Sequence, residues 1–421
     1  MKRYVAKCSS TNSISSVEYF LFYFAIADVL FFPYSHLLAI TVSQILVFIW
    51  FLLKQITRVK LSQYESDVRR FGLFSTLVIL CTVTSFLFIP SFHLQDGYRE
   101  NIMRAIQMIS SFGYLFFFSY VMRKIKFRWD IVLFIFVIYS SIWAVIYAFD
   151  FPTYLSLKRF FNPYDSFLGF LSDLENYDYR FSFIWTDPNN IAYAICGVLI
   201  MLVTWKQYNL LSEALITICA LLVCILCRST GGWLSFAYSI IILGVVQQKK
   251  SYNLSPMTRF VRGALAIIVI LASVYVVLKY VLPQQAIDQS VNRLTSKGDD
   301  ISRITIWRRL FEDKVDLLPM YLVYGSGYQV YVDGFPYNVH NGHFLLILAY
   351  GMIAYIAYIL LLFRKPKNVS WLGYAFLVPF ILAITINTFI GEAKAVGLMM
   401  FLIAIMRTQT GYLSTNWKTH K

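Results

Sequence analysis

Acidic side chains are scarce in this chain: Asp and Glu together account for 22 of its 421 residues, and charged residues of both signs for 14%. Soluble domains carry charge on about a quarter of their residues, so a water-facing globular surface is excluded for most of the length. Cysteine is rare too, and five of the six (Cys81, Cys196, Cys219, Cys224, Cys227) fall in or beside apolar runs. They imply no disulfide framework. Cys224 and Cys227 have CxxC spacing but sit inside an apolar run without further ligands, so no zinc site follows. There is no P-loop, no GxGxxG after a strand, no HExxH helix and no nucleophile elbow. A nucleotide-fuelled pump is thereby disfavoured. No small-residue cleavage site follows the basic start of the sequence, which predicts an uncleaved first helix.

Apolar residues take the place of charge. Hydrophobic residues make up 58% of the chain and aromatics 18%, with a mean hydropathy of +0.62. Twelve apolar runs follow one another at 17–33, 34–53, 71–92, 102–122, 131–149, 188–205, 210–227, 233–246, 263–282, 342–362, 370–390 and 395–407. A helix of about 20 residues crosses the roughly 30 Å hydrocarbon core and satisfies its own backbone there. The expected fold is an all-α polytopic membrane protein, one integral domain over 1–421. Two large loops, 150–187 and 283–341, lie on one side. The net charge of +15 fits this reading, because most of the 37 Lys and Arg, among them Lys54, Arg69, Arg123, Lys206, Lys249, Arg364 and Arg407, fall in segments on the opposite side. That asymmetry predicts cytoplasmic termini and a multi-pass chain in the lipid bilayer. It leaves no case for a nucleic-acid partner.

The chemistry-bearing residues gather on the two outer loops. Residues 302–318 have helical periodicity, and Arg303 shares an apolar face with Ile306, Trp307, Leu310 and Leu317, which directs a cation inward from a surface helix. Arg308 and Arg309 have Glu312 and Asp313 four residues on, the pattern of a solvated face. Arg180 precedes Asp187-Pro188-Asn189, a helix start with an acidic N-cap and proline at the first position. Arg228 opens a tight turn that runs to Gly232. Guanidinium groups match phosphate oxygens, and helix starts at Pro188, Gly232 and Gly342 add positive dipole ends. The set suits an anionic, pyrophosphate-bearing ligand; the plainer alternative is contact with lipid headgroups. His340 precedes Asn341 at the start of the 342–362 run, where an imidazole beside an anion site is suited to act as a base. His343 suits capping or packing. The spacing of Asp333, His340 and His343 matches no common ligand set, so no metal or other cofactor is expected. Asp28 and Arg104 sit near the outer ends of their runs and form no relay across the bilayer midplane.

The order Arg180…Asp187-Pro188-Asn189, Arg228-Ser-Thr-Gly-Gly, Arg303…Trp307…Gly325-Ser-Gly327…His340-Asn341…Gly351 resembles the bacterial O-antigen polymerase and O-antigen ligase family, over roughly 170–360. The chain departs from the family pattern at Phe183, where glycine is frequent, at Cys227, where serine is frequent, and at Ala354. These departures weigh more against the ligase branch. The resemblance implies a fold like that of C-type membrane glycosyltransferases and transfer of glycan from undecaprenyl pyrophosphate on the periplasmic face of the inner membrane. It implies that Arg180, Arg228 and Arg303 hold the pyrophosphate, that His340 and Arg303 act at the reacting centre, and that Asn189, Trp307 and Asn341 support them. The partners it implies are a lipid-linked oligosaccharide donor and acceptor, with a flippase and a chain-length regulator nearby. Tyr177, Tyr179, Trp185, Trp307, Tyr328, Tyr331 and Tyr337 are then candidates to stack on sugar rings. The leading expectation is a surface-polysaccharide polymerase. Its rivals are a ligase that moves polymer to lipid A-core and a flippase for lipid-linked oligosaccharide.

Overall fold

The computed structural model describes residues 14–34, 40–56, 65–88, 95–163, 180–206, 208–250, 330–332, 335–337, 339–363, 369–387 and 389–409, with isolated positions between 257 and 325. The run at 263–282 and Arg303 lie outside the described residues, apart from single positions in that run. Helices dominate: α1 (Ser16–Leu30), α2 (Val42–Ile56), α3 (Glu65–Phe88), α4 (Gln95–Met122), α5 (Trp129–Phe149), α6 (Phe151–Phe161), α7 (Pro188–Trp205), α8 (Leu210–Cys227), α9 (Thr230–Lys250), α10 (Gly342–Leu362), α11 (Leu377–Ile386) and α12 (Ala393–Thr408). A two-stranded antiparallel hairpin, β1 (Val330–Val332) and β2 (Phe335–Tyr337), pairs Tyr331 with Pro336. Among the described residues, α5, α7, α8, α9, α10 and most of α4 are long and apolar enough to cross a membrane. The chain is therefore a helical membrane protein.

Local signals explain most helix starts. Ser15 and Glu18 form a reciprocal capping box on α1, while Asp150, Asp187, Asn209 and Asn341 each accept from backbone N–H groups of the first turn they open. The starts come where oxygen-bearing short side chains stand ahead of apolar runs. Among the long helices of the described residues, α4, wrapped by α1, α2, α3 and α12, and α7, wrapped by α5, α8, α9, α11 and α12, are enclosed nearly all round. Since α12 packs on both, it joins the two bundles, and its Gly397 lies against Val29 and Tyr114.

Several expected boundaries move. The loop read at 150–187 begins with α6, because Asp150 caps it and Pro152 sits at its start, where no N–H is needed. The turn after Arg228 is shorter than expected: Ser229 Oγ accepts the Gly232 N–H at 3.1 Å and α9 begins at Thr230. Gly231 and Gly232 serve packing instead, since a methyl at 232 would sit 2.6 Å from Ala192 Cβ of α7 and one at 231 would overlap the Tyr193 hydroxyl. The run at 370–390 breaks into a 3-10 turn (Trp371–Tyr374), α11 and a second 3-10 turn (Phe389–Gly391). Pro379 cannot donate into a helix continuing from the first turn. Past Ile386 the backbone leaves α11 at an extended Asn387, with φ −141 and ψ 170.

Gly325 meets a kink in α10. Gly351 departs from helical geometry (φ 81, ψ 164), and the Tyr350 carbonyl accepts from the Cys81 thiol of α3 at 2.9 Å. A methyl on Gly351 would lie 2.5 Å from the Val323 carbonyl, and Gly325, itself at φ 74, abuts the Ala349 carbonyl. Two backbones thus touch where neither tolerates a side chain. Gly351→Ala is expected to cost about 1–3 kcal/mol, read as a lower midpoint of thermal unfolding in detergent. An unchanged midpoint would contradict the docking of Leu322, Val323 and Gly325 on α10.

Candidate functional site

Residues 181–185 are buried, yet no helix or strand pairs their backbone, so their carbonyls need other partners. Lys158, projecting from α6 and fully buried, supplies them: its ammonium donates to Ser182 Oγ and the Phe183 carbonyl, each at 2.8 Å, and to the Trp185 carbonyl. Asn162 Nδ2 adds a bond to the Ile184 carbonyl at 3.3 Å. Phe181, Phe183, Ile184 and Trp185 are buried, with the three aromatic rings packed among Phe136, Tyr139, Trp143, Tyr147 and Tyr154. Trp185 is therefore core, and the expectation that it stacks on a sugar is corrected. Sequence reasoning missed Lys158. The signal was the amphipathic spacing of Tyr154, Leu155 and Lys158 within α6.

This seat brings two of the expected arginines together. The Phe181 N–H donates to the Leu226 carbonyl at 3.2 Å, two residues before Arg228. Arg228 ends α8 in the left-handed region (φ 48, ψ 40) and is 5% exposed; its Nη2 donates to the Tyr147 hydroxyl at 3.3 Å. Arg180 immediately precedes Phe181, so its backbone too lies beside the end of α8. Arg180 Nη1 donates to Asn189 Oδ1 at 3.4 Å, and Asn189 is fixed by Asp187 Oδ1, which accepts its backbone N–H at 2.7 Å and its Nδ2 at 2.8 Å. Asn189 thus orients Arg180, while Asp187 caps α7 as expected.

His340 sits half-buried at φ 48, just ahead of Asn341. Asn341 Oδ1 accepts the N–H groups of His343 and Phe344 at 2.9 and 3.0 Å, so its side chain caps α10. His343 packs against Tyr355, whose hydroxyl lies 3.3 Å from Nδ1. Trp307 Nε1 donates to the Val339 carbonyl at 2.9 Å and its ring meets Phe344 edge-on, which fixes Trp307 beside the His340 turn. Arg308 pairs with Glu312 at 2.6 Å on an exposed face. Where the chain places Arg303 itself lies outside the described residues, as do Tyr177, Tyr179 and Tyr328.

A short link from α11 to α12 ties these segments to one another. The Gly342 N–H donates to the Asn387 carbonyl at 3.1 Å, while Asn387 Nδ2 donates to Asp187 Oδ2 and, at 3.3 Å, to Asn190 Oδ1. Glu392, ahead of α12, accepts from the Thr186 N–H at 3.1 Å and from its hydroxyl. The starts of α7, α9 and α10 therefore share one end of the bundle, and positive dipole ends meet the two cations there. Phe183, Arg228 and His340 are the three residues other than glycine with positive φ among the described residues. All three lie at this end, and such backbone strain persists where the surroundings enforce it. Position 183, where the resembled family often has glycine, takes φ 56. Among the described residues, no three His, Cys, Asp or Glu side chains are grouped to hold a metal ion. No family model matches the chain, and no curated protein or solved structure gives a significant match.

Two outcomes are expected. Lys158→Met keeps the stem and removes the ammonium, leaving three oxygens without their donor; a loss of about 2–4 kcal/mol should appear as a lower unfolding midpoint, and an unchanged midpoint would contradict the seat. Burial pushes the Glu392 carboxyl up to about 7 against the opposing pull of the Thr186 and Asp187 amides and of Lys394. Unfolded, this group releases its proton near 4.5, so between about 4.5 and about 7 the folded chain holds the extra proton. Stability from this group is full below about 4.5 and lost by about 7 as pH rises, up to about 3 kcal/mol. Unfolding midpoints across that window should fall for the wild type and less for Glu392→Gln; parallel profiles would contradict the assignment.

Proposed function

We propose that this chain is a glycosyltransferase that polymerises a surface polysaccharide of the O-antigen type. The observation that carries the reading is the placement of Arg180, bonded to Asn189 in the first turn of α7, and of Arg228, at the end of α8, at one end of the bundle, where three helices start and the His340 turn is tied alongside. Paired guanidiniums at helix N-termini suit a diphosphate more than a single headgroup phosphate. The ordered resemblance over 170–360 supports the same chemistry. On this reading the chain has twelve spans in a C-type glycosyltransferase arrangement, lies in the bacterial inner membrane with both termini in the cytoplasm, and works at the periplasmic face.

The donor is a growing glycan on undecaprenyl pyrophosphate, and the acceptor is the terminal hydroxyl of a new lipid-linked repeat. The acceptor oxygen forms a bond to the anomeric carbon as the bond from that carbon to the phosphate oxygen breaks. The electron pair leaves with undecaprenyl pyrophosphate, whose growing charge Arg180, Arg228 and Arg303 stabilise. The hydroxyl proton passes to His340. A single displacement inverts the anomeric configuration. The arginines are permanent cations, so charge neutralisation needs no metal. Trp307, held at the His340 turn, offers a ring to the acceptor sugar.

Purified protein incubated with a synthetic undecaprenyl-pyrophosphate repeat is expected to give a ladder of products. Arg180→Ala, Arg228→Ala and His340→Ala should each slow ladder formation about 100-fold or more. Product appearing only on added lipid A-core would move the assignment to a ligase. Translocation of the lipid-linked repeat without any ladder would move it to a flippase.

A further inference from the structure

We infer that Asn387 is a positioning residue that holds the donor side and the acceptor side of the transfer site in register; the inference rests on the polymerase reading above. Asn387 belongs to neither side. It occupies the break between α11 and the 3-10 turn Phe389–Gly391, 5% exposed and outside the 170–360 stretch that carries the family resemblance.

Its backbone carbonyl accepts the Gly342 N–H at 3.1 Å, two residues after His340, and its side-chain amide donates to Asp187 Oδ2. Asp187 grips Asn189 through the other oxygen, at 2.7 and 2.8 Å, and Asn189 Oδ1 accepts from Arg180 at 3.4 Å. An unbroken path of hydrogen bonds thus runs from the His340 turn to the Arg180 guanidinium, and Asn387 is the step at which it crosses from one segment to the other. The second amide proton goes to Asn190 Oδ1 at 3.3 Å, so both protons of the amide are used on α7.

The residue type follows from those partners. A carboxylate at 387 would face the Asp187 carboxylate with no proton between them, and an apolar side chain would take this donor away from half-buried Asp187 and from buried Asn190. The same link carries Glu392, which grips Thr186 one residue before Asp187. Residues 186–190 are therefore held at two points by 387–392. Misplacing the His340 turn against the arginines by a fraction of an ångström slows transfer while leaving the guanidiniums free to bind diphosphate.

The test measures ladder formation from the synthetic lipid-linked repeat by full-length protein, as kcat and KM, for wild type, Asn387→Asp, Asn387→Ala and the pair N387D/D187N. Asn387→Asp should lower kcat about tenfold or more with KM within about threefold. Adding Asp187→Asn reverses donor and acceptor across the same contact and still caps α7, so the pair should return kcat to within about threefold of wild type. Asn387→Ala should also lower kcat, and combining it with Asp187→Asn should not restore it. A wild-type kcat in both single variants, or a loss in Asn387→Asp that the swap leaves in place while the protein stays folded, overturns the inference alone. If Asn387→Asp does not fold, recovery of folding and kcat in the swapped pair supports it and wild-type kcat in Asn387→Ala overturns it. A wild-type protein that makes no ladder overturns the polymerase reading and this inference with it.

Discussion

The seating of the Lys158 ammonium against Ser182, Phe183 and Trp185 is the interaction on which the site end of this bundle depends. A buried irregular segment is tolerated only where protein groups satisfy its backbone. One buried cation meets that need for a whole turn and turns three aromatic rings of 180–187 into the core. With the rings locked, Phe181 can donate to Leu226 and Arg180 is brought beside the end of α8. A lysine buried without oxygens around it would lose its charge or unfold the turn, so the cation and the loop stabilise each other.

The same economy recurs at two other places. Lys394 of α12 donates to the carbonyls of Asp28, Phe32 and Pro33 at the end of α1, with the Asp28 carboxylate 3.7 Å away. Arg407, at the opposite end of α12, donates to the Leu361 carbonyl at 2.6 Å where α10 finishes. Cations thus finish the ends of helices whose last carbonyls have no partner within the helix. The result is a bundle in which charged side chains tie elements to one another. Arg180 and Arg228 differ in that separate segments bring them to one end of the bundle, amid residues whose backbones are strained.

Local chemistry made part of this legible from sequence. Asp187 before Pro188 and Asn341 before Gly342 declare helix starts whatever surrounds them, and the apolar runs of α5, α7, α8 and α10 closely match the helices observed. Arg180, Arg228 and His340 stood out because each flanks such a signal. Lys158, Asn387 and Glu392 did not, since nothing next to them in sequence announces that their partners lie tens or hundreds of positions away. Trp185 misled for a related reason: an aromatic in a polar-looking loop reads as surface, and only the fold shows it packed on Phe136 and Phe183. Gly231 and Gly232 looked like a turn because glycine suits both a bend and a close helix crossing, and sequence alone does not separate the two.

If Arg180 and Arg228 act on one diphosphate, as proposed, a double-mutant cycle on affinity for undecaprenyl pyrophosphate reads their coupling. Dissociation constants for wild type, Arg180→Ala, Arg228→Ala and the double variant should reveal a coupling of about 1 kcal/mol or more. Losses that add to within about 0.3 kcal/mol would mean that the two guanidiniums bind independently, and the account would be wrong.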